Sequence, residues 1–197
     1  MLEVSRELYD YWRKLKGKRR APDRNDVEPG AIRAILSDTF ILDFDREQEF
    51  PFRISGTRAN ALFLRELRGS SFLRLWRAAD RSAIATTLQR AADHARPYLL
   101  DVEARPPGLG RLAMEILLLP LRHQGSAHGR ILGAITTDAS PHWLGFVGAG
   151  EVALISAHPI AEQRSAALET QPRDDGIVEG FAPRPRLYLC SSDHRPI

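Results

Sequence analysis

Only one cysteine, Cys190, stands among the 197 residues, so no intramolecular disulfide framework can form. A lone thiol fits a reducing cytosol. Nor does any apolar run approach the roughly 20 residues that a helix needs to span a bilayer. The opening M-L-E-V-S-R-E-L is amphipathic and lacks the apolar segment of a signal peptide. These absences predict a cytoplasmic chain with no membrane span. Neither G-x-G-x-x-G nor a Walker A run occurs, and P-G-L-G (107–110) and V-G-A-G (147–150) read as turns. No nucleophilic triad is written. Ser70 and Ser71 have no His or acid at a suggestive spacing, and Cys190 falls in a Pro-rich stretch. His123 and His128 flank a turn without a nearby carboxylate or thiol, short of the three ligands of a catalytic zinc, so no metal site is expected. A net charge of +3 is too small to argue for nucleic acid.

Against these absences stands an ordinary globular composition, 43% apolar and 27% charged. Residues 111–138 organise it: two apolar runs flank Q-G-S-A-H-G, as in a long β-hairpin. Leu112, Met114, Ile116 and Leu118 take one parity of the first run; Ala113, Leu117, Leu119 and Leu121 take the other. Both faces of that strand are therefore covered. In the second run, Gly133 and Ala134 let something approach the backbone closely. Glu115 interrupts the apolar pattern. A buried carboxylate there needs a partner, whether as the polar anchor of a pocket or as an outward residue paired with an arginine.

Upstream, Val4, Leu8, Tyr11, Trp12 and Leu15 recur at helical spacing, predicting an amphipathic helix over 3–16 that Gly17 stops. Such a helix covers a sheet face or pairs with a second copy. Lys14, Lys16 and Lys18 lie among Arg13, Arg19, Arg20 and Arg24, one basic segment that is either solvated or met by phosphate or an acidic partner. A short helix capped by Asp26 or Glu28 follows, with Ile32, Ile35 and Leu36 buried. Strands are expected at 39–44 and 50–55, the second at an edge because of Pro51 and Arg53. Thr57 is the expected N-cap of a helix with Ala61, Leu62, Leu64 and Phe63 on its apolar side, and Asp80 caps a longer helix, 81–94. Pro97 then opens a strand over 98–105. The chain divides into a helix and basic loop (1–27), a domain (28–140), and an extension (141–197) read as largely irregular or disordered.

Short links within each strand group imply antiparallel neighbours, and one sheet results if the last strand returns beside the first. The fold class is α+β: a five-stranded antiparallel sheet of order 2-1-5-4-3, helices on one face, and the N-terminal amphipathic helix. Trp12, P-D-R-N-D-V-E-P (22–29), I-L-D-F (41–44), R-I-S-G-T (53–57) and L-L-P-L (118–121), in that order, resemble the bacterial PAS subgroup PAS_5. The resemblance implies a non-catalytic sensory or scaffolding PAS domain, often a homodimer. It would bind a small molecule or a signalling protein and change its surface in response. It places a ligand between the central helix and the sheet, where Phe63, Phe72, Leu75, Trp76, Ile84, Leu88 and Tyr98 would line the space with Glu115 as a polar handle; the same side chains would be core in a ligand-free domain. Val4, Leu8, Tyr11, Trp12 and Leu15 are the dimer or partner candidates. The cofactor stays unknown. Haem would draw on His94, which falls at the very end of the central helix, and a flavin-reactive cysteine is absent from that helix. The competing class is a small α+β isomerase or dehydratase with Glu115 as acid, helped by Tyr98 or His94; it requires Glu115 to face the cavity. Nucleic-acid binding through 13–24 is the weakest reading, and no nucleic acid is expected among the partners.

Overall fold

The computed structural model describes residues 1–45, 49–106, 108–123, 126–139 and 141–161, with the side chains of 123–128 excepted. Helix α1 runs Glu3–Lys16 and ends at Gly17, whose φ of 54° suits a residue without Cβ. Three 3-10 turns follow, at Arg24–Asp26, Pro29–Ile32 and Leu36–Asp38, in place of the single short helix expected there. The first is closed by a capping box between Asp23 and Asp26. Ile32 and Ile35 are buried as expected, but Leu36 is exposed because each turn is too short to carry a continuous apolar stripe.

Strands β1 (Thr39–Asp43) and β2 (Phe52–Ser55) precede α2 (Thr57–Phe63) and α3 (Arg81–Asp93). Then come β3 (Tyr98–Ala104), β4 (Leu112–His123), β5 (Ser126–Thr136) and β6 (Val152–Pro159). The sheet order is β2-β1-β5-β4-β3-β6, antiparallel throughout. The 2-1-5-4-3 arrangement is there, with a sixth strand added beyond β3. That strand lies within the 141–197 extension, where the run from Pro141 to Ile155 allows one short element closing over the core. The run V-A-L-I-S-A-H-P has weak alternation, and what fixes it is tertiary: Arg77 N–H donates to the Val152 carbonyl at 3.0 Å, and Leu154 N–H to Asp80 Oδ2 at 3.1 Å. Asp80 was expected to cap α3 with its side chain; its carboxylate holds β6 instead. Residues 162–197, including Cys190, lie outside the described residues.

Thr57 is likewise not the N-cap of α2. Gly56 takes that position, since a Cβ there would come within 2.3 Å of the Ser37 carbonyl oxygen. Leu64 is the left-handed C-cap and is exposed, so the buried side of α2 is Ala59, Leu62 and Phe63. Gly133 also has a steric reason. The Phe40 ring lies over it, with Cζ 2.2 Å from where a Cβ would stand, so what approaches that backbone is a core aromatic.

The strand parities sort into two cores. Leu100, Val102, Met114, Ile116, Leu118 and Ile131 join α2 and α3 on the inner face. Leu117, Leu119, Leu121 and Leu132 join α1 and the 3-10 turns on the outer face. Burying a large apolar side chain stabilises by about 1.5–3 kcal/mol, so each layer contributes many such increments against chain entropy.

Candidate functional site

Phe63, Phe72, Leu75, Trp76, Ile84 and Leu88 are all buried in one inner cluster, with Tyr98 packed at its edge. The rings of Phe40, Phe52, Phe72 and Trp76 meet at centroid distances of 5.5–5.8 Å. None of these seven residues lines the clefts described below. These seven side chains pack against one another, and a cavity of about 380 Å³ that reaches inner-cluster residues, beside Leu62, Ile135 and Leu144, lies apart from them. Trp76 Nε1 is a buried donor without an acceptor among the described residues, the one polar orphan among the seven.

Glu115 does not join them. Its parity turns it to the outer face, where Oε1 and Oε2 accept the Leu2 N–H at 2.9 and 3.2 Å, and the Met1 nitrogen lies 3.3 Å from Oε2. Leu2 is the N-cap of α1 and offers no side-chain acceptor, so the carboxylate from β4 caps that helix and meets the positive end of its dipole. The cavity-facing geometry that an acid catalyst requires is absent at Glu115. His94 is the exposed C-cap of α3, outside the inner cluster. Among the described residues no group of three His, Cys, Asp or Glu could hold a metal ion.

The five candidates on α1 face the sheet. Leu8 and Trp12 are wholly buried, and Trp12 Nε1 donates to the Pro120 carbonyl at 2.8 Å. Val4, Tyr11 and Leu15 are half-buried around them, and the Tyr11 hydroxyl accepts the Glu28 N–H at 2.8 Å. Of the two roles open to this helix, the folded protomer uses covering a sheet face.

What remains open on the outer face is a groove at its β1–β2 end. It has a volume of about 480 Å³, within the range of small-molecule sites. Val27, Ile32, Leu36, Ile41, Ile54 and Leu132 make its apolar walls. Leu36 and Ile54 are 40% and 46% exposed, so the groove opens to solvent along a row of aliphatic carbons. Its only charged lining groups are Arg24 and Arg33. Arg24 Nε is buried with no acceptor among the described residues, and neither guanidinium has an ion-pair partner there. Behind the groove, Ser55 Oγ bonds Asn60 at 2.6 Å and Glu66 at 3.2 Å. The Arg68 backbone N–H holds the Glu66 carboxyl below its usual range. Sequence reasoning placed Arg24 in the basic segment and Leu36 on a buried stripe, and it did not single out Ile54. The available signal was Ile54 alternating with an arginine on an edge strand.

No curated protein and no solved structure matches the chain. The family designated PAS_5, PAS domain, matches residues 2–136, covering α1, the 3-10 turns and the sheet through β5. The sheet order, the central helix on the inner face and that match agree, and the chain belongs to the PAS domain family PAS_5.

Proposed function

We propose that this PAS domain is a non-catalytic sensory or signalling module whose input is taken by the outer groove rather than by the inner face. The observation that carries the reading is an exposed apolar groove whose charges, among the described residues, are two guanidinium groups without ion-pair partners there, one with a buried donor that finds no acceptor there. That chemistry suits a small, mostly apolar molecule with an anionic head such as a carboxylate. Binding would bridge the 3-10 turns to the β1–β2 edge and favour one arrangement of that surface, the change a partner would read. A homodimer and a cytoplasmic setting belong to the same reading and rest on the habits of the family and on the lone thiol. The isomerase-like alternative finds no observation in its favour, because Glu115 is engaged in capping α1.

Octanoate is a fitting probe. Titrated into the full chain and followed by thermal shift and native mass spectrometry, it should bind once and raise the melting temperature. Arg24→Met should lower its affinity about tenfold, the loss of one charge-assisted contact. Binding that is absent, or unchanged in Arg24→Met and in Ile54→Glu, rejects the groove as the site.

A further inference from the structure

A second concavity lies at the far end of α1 and has opposite character. The last turn of α1, the loop after it and the turn between α3 and β3 converge on a cleft of about 620 Å³. Lys16, Lys18, Arg19, Arg20 and Arg96 line it with His94, and no carboxylate does. The adjoining hollow adds Arg122 beside Arg20 and also holds one carboxylate, Asp93. The basic run in the sequence supplies four of these cations; the fold adds Arg96 and His94 from a segment about 75 residues away.

Part of this charge has a structural task. Arg19 pairs with Asp26 at 2.7 Å and donates to the Leu15 carbonyl at 2.7 Å, closing the end of α1. Lys16 Nζ lies 5.9 Å from the centre of the Trp12 ring. Lys18, Arg20 and Arg96 have no such task. All three are exposed and form no ion pair among the described residues. They also lie beyond the last helical turns, where compensation of a helix dipole has faded.

The walls are fixed before any ligand arrives. Arg96 N–H donates to the Ala91 carbonyl at 2.9 Å across Ala95, which holds a left-handed φ of 51°. Ile160 N–H donates to the Pro97 carbonyl at 2.9 Å, and Arg122 N–H to the Pro22 carbonyl at 2.9 Å. Repelling cations held in a rigid concavity lower the free energy of a compact polyanion far more than that of a single charge. No Phe, Tyr or Trp lines the cleft, so a single-stranded nucleic acid would find no run of large stacking rings, only the imidazole of His94.

We propose that this cleft binds a small polyphosphorylated anion, two or three linked phosphates spanning Lys18, Arg20 and Arg96. Pro97 and Ile160 offer an apolar floor on which an organic moiety attached to those phosphates would rest. The site is separate from the outer groove and stands whether or not the groove binds anything.

The test is calorimetric titration of the full chain with sodium tripolyphosphate, at low salt and again at about 0.3 M, where the Debye length falls to roughly 5–6 Å. One saturable site per chain is expected, weakened by salt. Arg96→Gln should reduce affinity about tenfold, and the combined Lys18→Gln, Arg20→Gln, Arg96→Gln variant should abolish binding, with unchanged circular dichroism because all three side chains are exposed. Arg33→Gln, in the other cleft, should bind as the parent does. A nucleoside triphosphate binding more tightly than tripolyphosphate would mean that the apolar floor is used; equal affinity would mean that the phosphates alone are read. Either supports the proposal. No saturable tripolyphosphate binding at low salt, binding only of oligonucleotides or anionic vesicles, or full binding by the triple variant overturns it.

Discussion

The inner and outer faces of one sheet are covered in different ways, and the difference explains where this PAS domain is open. On the inner face, α2, α3 and the turn around Phe72 bring large side chains onto the strands, and interlocking rings close the layer. On the outer face, α1 packs on β4 and β5. An α-helix is about 10 Å across and strands lie about 4.8 Å apart, so one helix covers two strands and no more. Of the four strands beyond its reach, β3 and β6 carry exposed polar residues such as Asp101 and His158, while β1 and β2 are roofed by 3-10 turns carrying Val27, Ile32 and Leu36, which reach less far than an aromatic layer would. The groove is what stays open at the β1–β2 end.

The largest effect should come from removing the roof's anchor. Trp12→Ala deletes a wholly buried indole and should cost about 4 kcal/mol in urea unfolding, with loss of α1 from the sheet. A variant as stable as the parent would mean that α1 does not hold the outer layer. Next, Gly133→Ala should cost about 3 kcal/mol, because the new methyl meets both the Phe40 ring and the Leu117 carbonyl oxygen, 2.5 Å away. A neutral outcome would show that the inner layer has slack enough to admit a ligand.

A subtler test compares the two wholly buried indoles, Trp12 and Trp76. Trp12→Phe and Trp76→Phe remove the same volume, but among the described residues only Trp12 of this pair has an acceptor for its N–H. The Trp12 change should therefore cost about 1 kcal/mol more, readable as a difference in urea midpoints. Equal costs would mean that Trp76 finds a partner in solution, which would point to something polar held within the inner face. Smallest is a pH effect at the outer layer's edge. The Asp23 backbone N–H and the Arg19 guanidinium hold the Asp26 carboxyl below its ordinary 3.8. Its contribution is present above that ordinary value and is lost as pH falls through the lower folded value. Asp26→Asn should thus lower stability slightly near neutrality and flatten the acid limb of stability against pH; an unchanged acid limb would contradict the pairing.

Much of this comparison was legible in the residues. The double-sided parity of β4 announced two covered faces, and the spacing of Leu8, Trp12 and Leu15 marked the helix over one of them. Strand order followed from short antiparallel links. What could not be read was settled by contacts distant in sequence. β6 owes its place to the antiparallel ladder with β3 and to bonds with Arg77 and Asp80, all more than 45 residues away, and its own alternation is too faint to announce it. Glu115 was visible as an anomaly, but its partner is a backbone N–H 113 residues away. The groove was hidden because Leu36 and Ile54 look like core residues in any local window, and only the limited reach of α1 and the 3-10 turns leaves them exposed.

The central claim, that binding belongs to the outer face while the inner cluster packs against itself, is best tested by methyl spectra of the full chain labelled at isoleucine δ1 positions, recorded during an octanoate titration. Ile32, Ile41 and Ile54 line the groove, and Ile84, Ile116 and Ile131 lie in the inner cluster. The account predicts saturable shifts of Ile32, Ile41 and Ile54 with the inner three unmoved. Shifts centred on Ile84, Ile116 and Ile131 would contradict it and return the ligand site to the inner face.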